Sequence, residues 1–161
     1  MAKPRLCIDI DNVIARTDEV MRRVILSYTG GRVQLEYGHV VEFDYHKCKD
    51  ANDCAITKDE WLDVHTLFSE PRHLWLVQPF EGVQSYLNAL SEKYDLHLAT
   101  SRLPKARRTT VEWLEAYEIP PHDLHFLKHG EKHITLGGFH AAVEDHYEQA
   151  VAFAEKGTPC Y

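Results

Sequence analysis

Four groups of polar side chains each follow a short apolar segment, and together they could handle a phosphoryl group. They are Asp9 and Asp11; Thr100, Ser101 and Arg102; Lys128 and Lys132; and Glu144 and Asp145. Carboxylates with no His or Cys beside them suit a hard cation such as Mg²⁺, which takes oxygen ligands. A lysine and hydroxyls near those carboxylates suit a bound phosphate. One such group alone is most simply explained as a cap for the helix that follows its strand. Four such groups together favour a ligand-binding site.

The elements that must position these groups alternate between strands and helices. Apolar, β-prone segments predict strands at 5–10, 94–100, 124–127 and 139–143. Helical stripes lie at 83–93, from Pro104 to a break at Pro120-Pro121, and at 147–156. This alternation predicts an α/β fold: a Rossmann-like, mostly parallel sheet with helices on both faces. Ligands of such sheets bind outside the carboxyl ends of the strands, where the four polar groups lie.

An insertion separates the first strand from the rest of this pattern. A helix should begin near Thr17 and stop at Gly30-Gly31, and a second should begin after Thr57, where Glu60 completes a capping box. We therefore expect a core formed by 1–15 and 79–161, with a small helical cap at 16–78.

The overall charge limits the classes of molecule that the protein is expected to bind. A formal net charge of -7 disfavours a nucleic acid polymer or an anionic membrane, because a basic surface supplies most of that affinity. No segment approaches the ~18 apolar residues of a membrane span, and the N-terminus lacks the pattern of a signal peptide. Four scattered cysteines are too few for a disulfide framework. We expect a reduced, cytoplasmic protein that acts on a small molecule.

Other signals have two interpretations. A zinc site at His46, Cys48, Cys54 and His65 is disfavoured because the Cys-x5-Cys spacing matches no common structural site. Arg102 could guide an anionic substrate, cap its strand or pair with Glu144. Aromatic residues of the insertion could stack on a base or form that lobe's own core; they are Tyr37, Phe43, Tyr45, Trp61, Phe68 and Trp75.

The ordered motifs resemble those of the haloacid dehalogenase (HAD) superfamily. CIDIDNV looks like its first motif, LHLATS its second, Lys132 its third-motif lysine and AAVEDH its fourth. They occur in the superfamily's order across 5–156. Within it, the ATSR and VEDH segments and the place of the insertion are most similar to the 5'(3')-deoxyribonucleotidases and related bacterial nucleotidases. Asn12 stands where many members have glycine.

The resemblance implies roles for the two aspartates of the first motif. Asp9 would attack phosphorus and bind Mg²⁺. Asp11 would protonate the leaving oxygen and then activate the hydrolytic water, while its backbone carbonyl reaches the metal.

The remaining motifs imply a phosphate site and a further metal ligand. Thr100 and Lys132 would hold the phosphoryl oxygens with help from Ser101, and Asp145 would bind Mg²⁺ directly or through water. Lys128 is the rival for the role of Lys132.

These inferences combine into one expected function. The chain should be a Mg²⁺-dependent phosphomonoesterase with an aspartyl-phosphate intermediate, acting on nucleoside monophosphates. The alternatives are a phosphatase for another small phosphorylated metabolite, such as a sugar phosphate, and a non-catalytic binding protein with the same fold. Retention of Asp9, Asp11, Lys132 and Asp145 speaks against the last. The sequence leaves the oligomeric state open.

Overall fold

Four strands form one parallel sheet. The computed structural model describes residues 2–119 and 123–161. The strands lie in the order β3-β2-β1-β4, and their bounds are β1 Arg5–Asp9, β2 Asp95–Thr100, β3 Asp123–Phe126 and β4 Ala141–Val143. All four expected strands are present, and the predicted α/β, Rossmann-like parallel fold is confirmed.

Helices flank the strands along the chain. Their bounds are α1 Thr17–Tyr28, α2 Lys58–Phe68, α3 Pro71–Leu74, α4 Val83–Ser91, α5 Arg107–Ala116, α6 Lys132–Thr135 and α7 Tyr147–Glu155. The expected helices are confirmed, although the one at Pro104 opens as a 3₁₀ turn, Pro104–Ala106. Two single-turn helices, α3 and α6, were not predicted. The expected break at Pro120-Pro121 lies outside the described residues.

The parallel register brings the predicted polar groups to one edge of the sheet. The centre of β1 is buried, and its last residue, Asp9, pairs with Ala99 of β2. On the other side of β1, Ile8 pairs with Val143 of β4. Residues that follow each strand therefore emerge at the same carboxyl end, which is where α/β sheets bind ligands.

Each face of the sheet packs against its own helices. On one face, Cys7 and Ala142 form a buried cluster with Phe139 and with Phe153 of α7. On the other face, the guanidinium of Arg107 in α5 lies over the ring of Phe126, 4.5 Å from the ring centroid. The sheet is thus covered on both faces, as the continuous apolar strands required.

The last residues of the chain extend the sheet beyond β4. Ala142 donates its backbone N–H to Pro159, and Tyr161 donates its own to Ala142. The backbone N–H of Glu144 in turn bonds to the carbonyl of Tyr161. This pairing fixes the backbone on which Glu144 stands, directly after β4.

The chain divides into two compact units, Met1–Arg16 with Gln78–Tyr161, and Thr17–Val77. These boundaries lie within one residue of the expected ones. In the second unit, the predicted capping box is confirmed, because Thr57 and Glu60 exchange side-chain and backbone hydrogen bonds at the start of α2. Across the described residues, no helix has the length and apolar character needed to cross a membrane.

Aromatic residues form much of the core of the Thr17–Val77 unit. Tyr45 stacks on Trp61 with ring centroids 5.2 Å apart, and Trp61 stacks in turn on His65. Tyr45, Trp61 and Phe68 are all buried. For these three side chains, the structure supports the lobe-core interpretation over base stacking.

Candidate active site

The loop after β1 carries both aspartates of the first motif. Its backbone is closed by hydrogen bonds from Ile14 to Ile10 and from Asn12 to Ala15. Asn12 has a φ of 62°, a left-handed conformation that asparagine tolerates better than most residues. Its side chain also hydrogen-bonds Asp145. Asn12 thus forms the left-handed turn of this loop and links the loop to the end of β4.

Lys132 joins the carboxylates of two strand ends. Its Nζ donates to Asp9 Oδ1 at 2.6 Å and to Glu144 Oε1 at 2.8 Å. Lys132 is the first residue of the single-turn helix α6 and is only 3% exposed. Lys128, its rival in the sequence, is exposed. The ammonium beside Asp9 is therefore that of Lys132.

Burial and the neighbouring charges have opposite effects on the pKa values of this cluster. Burial raises the pKa of Asp9, and the ammonium of Lys132 opposes that rise. Burial alone would lower the pKa of Lys132, but Asp9 and Glu144 outweigh it, so that the pKa lies above its usual value. The lysine is therefore a fixed cation at neutral pH, as neutralisation of a phosphoryl group requires.

Asp11 lies in a separate network with Arg102 and Thr100. Arg102 donates to Asp11 Oδ1 from Nε at 3.0 Å and from Nη2 at 2.8 Å, while Thr100 donates to Oδ2 at 2.8 Å. Arg102 is almost fully buried and also bonds Thr110 at 3.1 Å. Of the roles considered for Arg102, pairing with Glu144 is wrong; its partner is Asp11.

The two hydroxyls predicted to hold phosphate differ in their contacts. Thr100 is buried, and its Oγ1 accepts from the backbone N–H of Arg102 besides donating to Asp11. The Oγ of Ser101 is buried and has no hydrogen-bond partner among residues 2–119 and 123–161. Since a buried hydroxyl without a partner is costly, Ser101 has a donor available for an anion.

Three carboxylates at this edge could hold a metal ion. One oxygen each of Asp9, Glu144 and Asp145 lies within 4.8 Å of the others. All donors are oxygens, which is the set that Mg²⁺ prefers. Three carboxylates against the one ammonium of Lys132 leave two negative charges uncompensated, which a divalent cation would balance. The residues therefore fit Mg²⁺.

Glu144, expected only near the metal, belongs to this group. The ligand expected from Asp11 is its backbone carbonyl, and the side chain of Asp11 is held by Arg102. Sequence reasoning assigned no role to Asn12 and left Arg102 undecided. Asn12 lies in the CIDIDNV segment and Arg102 in the ATSR segment, but the residues that they contact depend on which strands are neighbours.

The fold is shared with solved HAD-like hydrolases. A haloacid dehalogenase-like family hydrolase from Streptococcus pneumoniae superimposes with a TM-score of 0.69 at 11% identity, covering 98% of this chain and 83% of that one. YfnB from Bacillus subtilis, bound to magnesium, gives 0.60 at 10% identity, covering 99% and 88%. CbbY from Rhodobacter sphaeroides, in complex with phosphate, gives 0.60 at 14% identity, covering 98% and 84%.

Sequence comparison adds nothing to this likeness. No model of a protein family matches the chain, and no curated protein matches it. At these identities the structural neighbours establish the fold alone.

The first prediction separates the two lysines. Lys132→Ala should lower phosphatase activity by about 10²-fold or more, because it removes the cation that faces Asp9. Lys128→Ala is the matched control and should keep activity near that of the wild type, since this side chain is exposed. Steady-state kinetics would measure both, with circular dichroism to verify folding. A loss confined to Lys128→Ala would contradict the assignment.

The second prediction concerns the hold of Arg102 on Asp11. Arg102→Gln should lower turnover of an alkyl phosphate by about 10²-fold, within the range of general acid–base contributions. The loss should be smaller for an aryl phosphate, whose leaving group needs no proton. Arg108→Gln, at an 89% exposed side chain, is the control. Equal losses with both substrates would show that Arg102 only supports folding.

Proposed function

We propose that this chain is a Mg²⁺-dependent phosphomonoesterase that acts through an aspartyl-phosphate at Asp9, with nucleoside monophosphates as its substrates. The observation that carries the proposal is the arrangement around Asp9, where a buried lysine and two further carboxylates converge on one oxygen-rich point. This point lies at the carboxyl end of the sheet, and solved structures that share the fold include a haloacid dehalogenase-like family hydrolase and a putative phosphatase.

In the first step, a carboxylate oxygen of Asp9 attacks phosphorus and the bond to the leaving oxygen breaks. Asp9 is 5% exposed, so little water competes for its oxygens. Lys132 offsets the repulsion between this anionic nucleophile and the anionic substrate. Splitting hydrolysis through a covalent intermediate replaces one high barrier with two lower ones.

Asp11 acts as the general acid in the first step and as the general base in the second. It gives a proton to the leaving oxygen, and it then takes one from the water that attacks the aspartyl-phosphate, releasing inorganic phosphate and restoring Asp9. In the structure both of its oxygens accept hydrogen bonds, from Arg102 and Thr100. That arrangement favours the carboxylate, the form needed in the second step. The acid form requires Thr100 to turn its hydroxyl away from Oδ2.

Asp9 and Asp145 would hold Mg²⁺, with Glu144 shared between the ion and Lys132. When bound, Mg²⁺ supplies a Lewis acid that neutralises charge on the phosphoryl oxygens. The side chain of Asn12 orients Asp145 for this role. Ser101 offers its buried hydroxyl to the same phosphoryl group.

The substrate class rests on the resemblance of the ATSR and VEDH segments to those of nucleotidases. Burial of Tyr45, Trp61 and Phe68 removes them as stacking partners for a base. Tyr37 and Trp75 of the same unit are exposed. The competing class is a sugar phosphate or another small metabolite.

The third prediction tests the reaction, the metal and the substrate class together. A panel of nucleoside monophosphates, sugar phosphates and an aryl phosphate should be hydrolysed with Mg²⁺ and not in excess chelator, and restored Mg²⁺ should restore activity. Asp9→Asn should be inactive throughout. Nucleotides should turn over fastest.

Each negative result of this screen would contradict a different part of the proposal. Full activity in chelator would contradict the metal dependence. Faster turnover of sugar phosphates than of every nucleotide would replace the substrate class and leave the mechanism standing. Retained activity in Asp9→Asn would refute the covalent route.

A further inference from the structure

A second cluster of metal-ligating side chains lies on strands β2 and β3, away from the carboxylates at the end of the sheet. It consists of His97, Asp123 and His125. His97 pairs with Asp123 in the register of the two strands, and His125 pairs with Ala99. Alternate residues of a strand share a face, so all three side chains lie on one face. We propose that this trio binds a transition-metal dication such as Zn²⁺.

The distances within the trio suit a single ion. His97 Nδ1 lies 3.1 Å from His125 Nε2, and Asp123 Oδ2 lies 3.4 Å from His125 Nε2 and 3.9 Å from His97 Nδ1. Tetrahedral Zn²⁺ with bonds of about 2.0–2.1 Å separates neighbouring ligand atoms by about 3.3 Å. The three donor atoms therefore already stand near the spacing of three corners of a coordination tetrahedron.

The surroundings fix the directions of these ligands. The Oδ1 atom of Asp123 accepts the backbone N–H of Leu124 at 2.8 Å, which leaves Oδ2 directed at the imidazoles. The rings of His97 and His125 are stacked within 13° of parallel, and His97 packs edge-on against Phe139 at 5.1 Å. Outer contacts of this kind orient ligands and are a regular part of metal sites.

Burial leaves one side of the trio open. His97 is buried, His125 is half-buried and Asp123 is exposed. Three protein ligands with a solvent-facing fourth position describe a zinc site that can exchange its ion and keep a bound water. An ion can therefore reach the trio from solvent without unfolding the sheet.

The ligand types separate this site from the one around Asp9. Two imidazoles favour Zn²⁺, Ni²⁺ or Cu²⁺, whereas the oxygen-only group of Asp9, Glu144 and Asp145 suits Mg²⁺. Asp123 is the first residue of β3, at the amino end of its strand, and Asp9 is the last residue of β1. In the register of the sheet, His125 is level with Ala99 and Asp9, so the two groups are separated by strand: the trio lies on β2 and β3, and the carboxylates lie on β1 and directly after β4. The proposal therefore holds whether or not the chain is a phosphatase.

The competing explanation is a hydrogen-bonded pair of histidines. One neutral imidazole can donate a hydrogen bond to the other across 3.1 Å, and the carboxylate of Asp123 can accept a hydrogen bond from a protonated imidazole. Such a pair would need no ion and would respond to pH instead. The experiment must therefore report on the ring nitrogens themselves.

We would titrate the full chain with Zn²⁺ in saturating Mg²⁺ and follow the imidazole nitrogens by long-range ¹H–¹⁵N NMR, with bound zinc counted after dialysis. The ring signals of His97 and His125 should shift together. His125→Ala should bind one zinc ion fewer than the wild type. Asp123→Asn, at an exposed carboxylate, should weaken binding without unfolding the chain. His140→Gln, at an exposed histidine, is the matched control and should bind as the wild type does.

Two results would overturn the proposal. One is a zinc titration that leaves both ring signals unmoved while they respond to pH, which would identify a hydrogen-bonded pair only. The other is unchanged zinc stoichiometry and affinity in both His125→Ala and Asp123→Asn, which would place any bound zinc elsewhere, for example on the four free cysteines.

Discussion

The ammonium of Lys132 between Asp9 and Glu144 is the interaction on which the candidate active site depends. It connects the ends of β1 and β4 through α6, and it keeps two buried carboxylates from repelling each other. Breaking a buried ion pair by removing one partner costs about 3–5 kcal/mol. The same contact that stabilises this edge of the sheet therefore holds Asp9, the proposed nucleophile, beside the positive charge that a phosphoryl group would meet.

A second buried cation, Arg102, binds Asp11 and so gives it surroundings different from those of Asp9. It fixes Asp11 through two hydrogen bonds and is itself held by Thr110 of α5. Asp9 and Asp11 are only two residues apart, yet one faces a lysine and the other an arginine. In the proposed mechanism, these different neighbours would suit the two carboxylates to different tasks, nucleophile and proton carrier. The proposed mechanism depends on this separation.

The sequence predicted the local elements and the gathering of polar groups at one edge of the sheet, but it missed individual contacts that depend on which strands are neighbours. The strand and turn of CIDIDNV, the capping box at Thr57 and the alternation of strands and helices are encoded within short segments. The pairing of Arg102 with Asp11 joins residues 91 apart, and the trio of His97, Asp123 and His125 forms only because β2 and β3 are neighbours in one register. No spacing rule within a single segment reveals such contacts.

The most direct test of the account is the chemical state of Asp9 during turnover. The Asp11→Asn variant should accumulate phosphoenzyme with an aryl phosphate, since the second step lacks its base. Acid quenching, borohydride reduction and mass spectrometry of the peptide with residue 9 would locate the modification. The account predicts reduction of Asp9 to homoserine in that variant and none in Asp9→Asn. Continued turnover of the wild type with Asp9 unmodified at every quench time would contradict it.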